Sequence, residues 1–226
     1  FKMAAKTIAK RHGLHATFMP KPKEGINGSG MHINMSLSDG TGKNLFADDS
    51  DPLKLSRTAY YFMAGILHHM KPMTILTNPL VNSYKRLIPG YDAPTSNRSS
   101  LIRIPSPRGE STRIELRCPD PAMNPYLALA ACLRAGLDGI EKQMELPECV
   151  EGNMFTMGPE DMKSRNVERI PETLGDAIEA FDGDWFMKDV LGDHIYTKYL
   201  EAKEKEWRDF RAQVTDWEVS EYLYKY

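Results

Sequence analysis

The sequence predicts an α+β fold in which short antiparallel strands come before most of the helices. Residues 31–37 alternate strictly between apolar and polar side chains, as a half-buried strand does. Residues 124–145 and 193–214 instead carry apolar side chains at helical spacing. Because no repeat and no clear domain boundary interrupts the chain, we expect residues 1–226 to be one portion of a single domain.

Composition narrows the class of protein. The 226 residues carry 29 Lys and Arg against 31 Asp and Glu, a balance that argues against a general nucleic-acid binder. No apolar run approaches the ~18 residues that a membrane helix needs, and no signal peptide is visible. Cys118, Cys132 and Cys149 cannot all pair, so we expect buried thiols in a reducing, cytoplasmic compartment.

The first third of the chain mixes helices, strands and turns. Apolar residues from Phe1 to Ala9 share a helical face, and Gly13 is a suitable stop after it. The segments that follow are predicted to be a short strand at 15–19, a glycine-rich loop at 24–30, a strand at 31–37, a hairpin or surface loop at 38–52 and a helix at 53–70.

The middle of the chain is basic. Seven basic and three acidic residues lie between Ser83 and Cys118, and two short strands fit at 101–104 and 112–117. Asn124 and Pro125 form a good start for a buried helix that runs to about residue 145. An irregular connection at 146–171, one or two short helices at 172–191, the long helix at 193–214 and an aromatic tail expected to pack complete the prediction.

Two polar strand faces could carry chemistry. Residues 32–36 read His-x-Asn-x-Ser, and residues 113–117 read Arg-x-Glu-x-Arg, so each strand turns these side chains to one face. Imidazole and carboxylate are ligands for a divalent cation, and arginines bind phosphate and carboxylate in two-pronged fashion. The pattern predicts an anion site that a metal assists, typical of phosphoryl transfer.

Simpler interpretations stay open from the residues alone. His32 can be a core or surface histidine, and Glu115 can be one member of an ion-paired strand face. The arginine-rich stretch can be a solvated face or an RNA patch. The loop at 24–30 does not match the phosphate-binding P-loop motif. His68 and His69 are adjacent in a helix and are interpreted as structural.

Six motifs occur in order across the chain: Lys21-Pro22, 27–32 (NGSGMH) with Ser36, 78–91 (NPLVNSYKRLIPGY), 97–99 (NRS), 102–105 (IRIP) and 113–117 (RIELR). Together they resemble glutamine synthetase. Residues 192–207 are similar to the feedback-regulated type I branch. The chain resembles the C-terminal portion of that family's catalytic domain, which implies a glutamate–ammonia ligase.

The resemblance implies a role for each matched residue. His32 and Glu115 would bind Mg²⁺ or Mn²⁺. Glutamate would bind at Asn27, Gly28, Arg86 and Arg117. The ATP site would include Ser36, Arg98, Arg103, Arg108 and Arg113. Arg98 would also lie near the transferred phosphate, and Asp92 stands where the family has a glutamate that helps to deprotonate ammonium.

The implied reaction has two steps, in which ATP phosphorylates the glutamate γ-carboxylate and ammonia then displaces the phosphate. The resemblance also implies a dodecamer whose active sites lie between subunits. The family's N-terminal β-grasp domain and the first part of its catalytic domain, with further glutamate ligands, have no counterpart in these residues. We therefore expect the chain by itself to be an inactive fragment.

Some positions depart from the family pattern. About six residues fewer than usual lie between Pro94 and Asn97, Asn34 replaces a histidine, and Phe155 stands where the other branch has an adenylylated tyrosine. Three rival functions stay open: a ligase that joins glutamate to another amine, such as a polyamine; a non-enzymatic protein that keeps the fold for assembly or structure; and a phosphate- or RNA-binding module, which rests only on the basic stretch.

Overall fold

A computed structural model describes residues 1–87, 101–146 and 169–226. The helices are α1 (Lys2–Arg11), α2 (Arg57–His68), α3 (Met70–Thr77), α4 (Pro125–Glu141), α5 (Leu174–Phe181), α6 (Trp185–Arg211) and α7 (Asp216–Tyr222). The strands are β1 (Ile33–Met35), β2 (Ile102–Arg103) and β3 (Ile114–Leu116), and 3₁₀ turns lie at Val81–Lys85 and Gly109–Ser111. The α+β prediction is confirmed, although α2 and α3 fall between the strands.

The three strands form one antiparallel sheet in the order β1-β3-β2. Asn34 on β1 and Arg103 on β2 both lie opposite Glu115 on the central strand. Ile33, Ile102 and the two apolar residues of β3 belong to the hydrophobic core, so the other face of the sheet is left for polar side chains. The alternation had predicted these faces, but each strand is shorter than its pattern because the ladder ends where no partner strand continues.

The strand predicted at 15–19 is wrong. These residues have no strand partner, and most of them are exposed. A lone extended segment has no ladder to join, and Phe18 instead meets Phe1 edge-on at a ring distance of 6.2 Å. The apolar face of α1 is likewise uncovered, since the helix buries none of its residues.

The turn-rich segment after β1 folds into a hairpin-like arm. Bridges join Ser38 to Asn44 and Ala47 to Leu55, and Phe46 and Leu55 are buried. Ser56 then caps α2, because its Oγ accepts from the Ala59 amide at 3.2 Å. The predicted helix at 53–70 therefore begins four residues later than expected.

Helix α3 was not predicted. It carries Pro72 in its first turn, where no helical N–H is lost, and residues 72–77 are all buried. A helix that is buried on every side shows no alternation of polar and apolar faces, so periodicity could not reveal it.

Helices α2 and α4 pack so closely that their backbones touch. A Cβ at Gly65 would lie 2.1 Å from the Ala135 carbonyl oxygen, and one at Gly139 would lie 2.1 Å from that of Tyr61. Asn124 caps α4 as predicted, accepting from the Tyr126 amide at 3.0 Å, and Pro125 is its first residue. The helix ends at Glu141, about four residues earlier than expected.

The C-terminal helices confirm the division at Gly192. Thr173 caps α5, and α6 contains a break at Gly192, whose φ of 71° separates the predicted short and long helices. Trp217, Tyr222, Tyr224 and Tyr226 are exposed, and Trp217 meets Tyr222 edge-on, so the described residues do not supply the packing surface expected for the aromatic tail. Among the described residues, no helix is both long and apolar enough to cross a bilayer.

Two further predictions concern buried polar groups. Cys118 and Cys132 are buried free thiols, as expected, and burial raises the pKa of Cys132 to about 12. Cys149 lies outside the described residues. His69 is structural: it stacks on Phe186 at 3.6 Å and pairs with Asp138 at 2.9 Å.

Candidate active site

Glu115 is the centre of the polar sheet face. Its carboxylate is buried, with 9% of the side chain exposed, and three charged or polar neighbours surround it. The Nδ1 atom of His32 lies 2.8 Å from Oε1, which Arg117 also contacts, and Nη1 of Arg103 lies 3.4 Å from Oε2. The structure thus brings together the two predicted metal ligands and two of the predicted arginines.

This cluster carries an excess of positive charge. Two guanidinium groups face one carboxylate, so the site attracts an additional anion. Burial lowers the pKa of His32, and the charge of Arg117 lowers it further, although Glu115 acts in the opposite direction. A neutral imidazole is the form that coordinates metals, so His32 is in the right state near pH 7.

A second polar pair extends the same face. Nε of Arg113, two residues before Glu115 in the chain, donates to Oδ1 of Asn34 at 3.1 Å. Ser36 is exposed and lies one residue beyond β1. Arg108 is held elsewhere, because its guanidinium donates to the backbone carbonyls of Leu53, Pro105 and Pro107.

The glycine-rich loop lies directly over Arg86. A Cβ at Gly30 would be 2.4 Å from Nη2 of Arg86, and one at Gly28 would be 2.4 Å from the Pro20 carbonyl and 2.8 Å from Cγ of Arg86. Only residues without a side chain allow this approach. Asn27, at the start of the predicted glutamate-binding pair, is exposed.

Arg86 is anchored to the segment that leaves β3. Its Nη1 donates to the carbonyls of Cys118 at 2.6 Å and Pro119 at 3.0 Å, and Nη2 lies 3.4 Å from that of Arg117. These contacts engage three of the five N–H groups of an arginine. Burial lowers the pKa of Arg86. Because the guanidinium is partly shielded from water, the electrostatic attraction between its charge and a bound anion is only weakly screened.

Sequence reasoning gave no role to Asn78 and Asp120, which hold the same segment. Asn78 Nδ2 donates to the Cys118 carbonyl at 2.9 Å and to Oδ2 of Asp120 at 3.2 Å. Both residues are fully buried. A signal was present, since each directly precedes a proline and such pairs mark turns.

The remaining predictions lie outside the described residues. They concern Asp92, Arg98, the short stretch between Pro94 and Asn97, and Phe155. Within the part that is described, no group of three or more His, Cys, Asp and Glu side chains could hold a metal ion. His32 and Glu115 therefore supply donors of the right chemistry, but they do not complete a site by themselves.

These features define a class of protein: an α+β domain with a basic, carboxylate-centred face suited to an anion and a divalent cation. Residues 1–222 match the model of the family described as glutamine synthetase, catalytic domain. The chain belongs to this family.

Relatives named glutamine synthetase match along the whole chain. The proteins of Clostridium saccharobutylicum and Thermotoga maritima are each 52% identical to it, over 232 and 229 residues. That of Methanosarcina mazei is 50% identical over 229 residues. The chain spans about half the length of these relatives, 52%, 52% and 51% respectively.

Solved structures agree with the fold. A chain described as "Apo GmaS without ligand" superposes with a TM-score of 0.87 at 40% identity, covering 99% of this chain and 52% of its own. A second, described as "GmaS/ADP complex-Conformation 1", gives 0.87 at 38% identity, covering 98% of this chain and 52% of its own.

Proposed function

We propose that this chain supplies one part of the active site of an ATP-dependent glutamate–ammonia ligase, which makes glutamine through γ-glutamyl phosphate. The observation that carries the proposal is the Glu115 cluster, where His32, Arg103 and Arg117 converge on one carboxylate. Identity of about 50% to glutamine synthetases over the whole chain supports it.

The residues of the cluster and those around it each have a proposed ligand. Arg117 and Arg86, with Asn27 and Gly28, bind glutamate, because guanidinium groups pair with carboxylates through two N–H groups. Arg103, Arg113 and Ser36 bind the nucleotide, and the neighbour solved with ADP is consistent with a nucleotide at this fold. Arg108 keeps its proposed role at the nucleotide, for which its guanidinium has to leave the Leu53 and Pro105 carbonyls. Arg98 and Asp92 keep their proposed roles at the phosphate and at ammonium.

His32 and Glu115 are the proposed ligands of Mg²⁺ or Mn²⁺. Such an ion neutralises phosphate charge when it is bound. Because Glu115 already contacts Arg117 and Arg103, its carboxylate would keep arginines beside the bound phosphates. Further ligands have to come from outside the described residues.

The chain's own groups suit the two steps of the reaction. In the first, the γ-phosphoryl of ATP moves to an oxygen of the glutamate γ-carboxylate, and the arginines stabilise the charge that spreads over the transferring group. In the second, ammonia attacks the carbonyl carbon of the phosphorylated γ-carboxyl group, the C–O bond to the phosphoryl group breaks, and inorganic phosphate leaves. Asp92 is proposed to accept the proton that ammonium loses.

We further propose the type I, feedback-regulated and non-adenylylated subtype. Residues 192–207 and Phe155, which has no hydroxyl to modify, support this assignment. The protein is proposed to act in the cytoplasm as a dodecamer, and residues 1–226 are proposed to be the C-terminal portion of its catalytic domain. Since the chain covers about half of its relatives, we expect it to be inactive alone.

The test compares the intact polypeptide with the 226-residue chain. We expect the intact protein to form glutamine from glutamate, ammonium and ATP only with Mg²⁺ or Mn²⁺, and the short chain to form none. Glu115→Ala should abolish Mn²⁺-dependent ATP binding, measured by calorimetry, while the protein remains folded.

Other outcomes separate the rival functions. A preference for putrescine over ammonium would make the protein a ligase for another amine. Failure of the folded intact protein to bind metal and ATP would indicate a non-enzymatic role and would refute the proposal.

A further inference from the structure

Asp120 is a buried carboxylate that has no place in the reaction described above. It is completely buried, and it lies just after β3, the strand that carries Glu115 and leads directly to Arg117. Burying an ionisable group is costly unless hydrogen bonds compensate for the lost water, so the partners of Asp120 show what the carboxylate does in the fold.

Hydrogen bonds surround Asp120 on every side. Oδ1 accepts from the Ala122 amide at 2.8 Å, and Oδ2 accepts from Asn78 at 3.2 Å. Its own amide donates to the Thr77 carbonyl at 3.1 Å. Asp120 therefore joins the end of α3 to the segment after β3.

The segment that Asp120 holds is the anchor of the substrate-binding groups. The Cys118 and Pro119 carbonyls, which accept from Arg86, lie within two residues of Asp120. The Pro119 carbonyl also accepts from the Met31 amide at 2.9 Å and so ties down the glycine-rich loop. The turn at residues 118–120 thus holds the Arg86 side chain and the loop that carries Gly28, and it directly follows Arg117.

We propose that Asp120, braced by Asn78, is a positioning residue that sets the distance between the two glutamate-binding arginines, Arg86 and Arg117. The proposal rests on the proposed function. The carboxylate touches no ligand; it acts by fixing the carbonyls to which the Arg86 guanidinium is anchored. Burial raises the pKa of the Asp120 carboxyl, and the nearby charge of Arg86 acts in the opposite direction.

Asp138 offers a matched control. It is also buried, with 2% exposed, and it pairs with His69 at 2.9 Å and Lys142 at 3.0 Å. It lies on α4, in the helical layer, and bonds to none of the groups around Glu115. A purely structural buried carboxylate should behave as Asp138 does.

The experiment measures steady-state kinetics of the intact enzyme carrying Asp120→Asn or Asp138→Asn. We expect Asp120→Asn to raise KM for glutamate about tenfold, with KM for ATP and kcat changed less than threefold. Asp138→Asn should lower the melting temperature and leave KM for glutamate unchanged.

The other outcomes contradict either the positioning role of Asp120 or the proposed function. If both variants lose thermal stability equally and neither changes KM for glutamate, Asp120 is only structural and the proposal is overturned. Should Asp120→Asn fail to fold, Asn78→Ser removes one brace only, and an unchanged KM for glutamate in that variant overturns it as well. A folded wild type that neither binds glutamate in calorimetry nor turns it over refutes the proposed function itself, whatever the variants show.

Discussion

The helical layer and the polar sheet face hold different kinds of contact. Between α2 and α4, Gly65 and Gly139 bring two backbones together, and buried apolar residues surround them. On the sheet face, Glu115 faces Arg103, Arg117 and His32, all of them partly exposed. Close apolar packing stabilises the fold, whereas an ion pair to a buried carboxylate adds little net stability, because desolvation of the charges offsets their attraction.

This difference predicts which substitutions affect the free energy of unfolding and which affect ligand binding. A variant in the helical layer should lower the free energy of unfolding without altering the ligand site directly. A variant on the sheet face should alter ligand binding and cost little stability. Three predictions test this division, in order of their expected effect on stability, and each is measured on the intact protein.

Gly139→Ala should have the largest effect. The new methyl group would lie 2.1 Å from the Tyr61 carbonyl oxygen and 2.7 Å from the Cα of Gly65. These are backbone atoms of α2, which cannot rotate away. We expect a loss of more than ~3 kcal/mol in urea unfolding, despite the ~1 kcal/mol by which alanine favours a helix over glycine.

Gly40→Ala is the matched control for that variant. Nothing lies within 4 Å of the position where its methyl group would be, so its stability should change by less than ~0.5 kcal/mol. Equal stability losses in the two variants would refute the close-packing account of α2 and α4.

His69→Gln should change the pH dependence of stability. Burial lowers the pKa of His69 below its value of about 6.5 in the unfolded chain, so the unfolded state takes up the proton first as pH falls. The stability contributed by neutral His69 is therefore complete above pH ~6.5 and is lost as pH falls through its folded pKa, with a slope of at most ~1.4 kcal/mol per pH unit.

Melting temperatures of the wild type and His69→Gln between pH 7.5 and pH 5 check this sign. The wild type should lose stability faster than the variant on acidification, because glutamine has no proton to gain there. Curves that stay parallel over this range would show that His69 does not titrate on unfolding.

Gly30→Ala should have the smallest effect on stability and the clearest effect on binding. Its methyl group would meet Nη2 of Arg86 at 2.4 Å, so the guanidinium has to shift against the carbonyls that anchor it. We expect a loss below ~1 kcal/mol, since side-chain movement relieves the clash. KM for glutamate should nevertheless rise about tenfold, or ~1.4 kcal/mol. A large stability loss with unchanged KM would reverse the division between the two regions.

Local signals in the sequence predicted much of the fold. The caps at Asn124 and Gly13, and the break at Gly192, depend on residues a few positions apart, so the chain shows them without its tertiary context. The alternation at 31–37 and 113–117 placed His32 and Glu115 on polar faces, and the structure joins those faces in one site.

Other features depended on distant neighbours. The segment at 15–19 has strand-like residues but no partner strand, and α3 is too deeply buried to show a helical period. The anchoring of Arg86 required Asp120, which lies 34 residues further along the chain, to approach Asn78. No pattern within a short window contains such information.

The sequence by itself determined the α+β class, the starts of α1 and α4 and the residue types of an anion and metal site. It also carried the motifs that resemble glutamine synthetase. Only the tertiary structure decided which carboxylate became central and which arginine became anchored. Periodicity reports the face on which a side chain lies, whereas charge pairing and burial depend on which faces meet when distant segments pack.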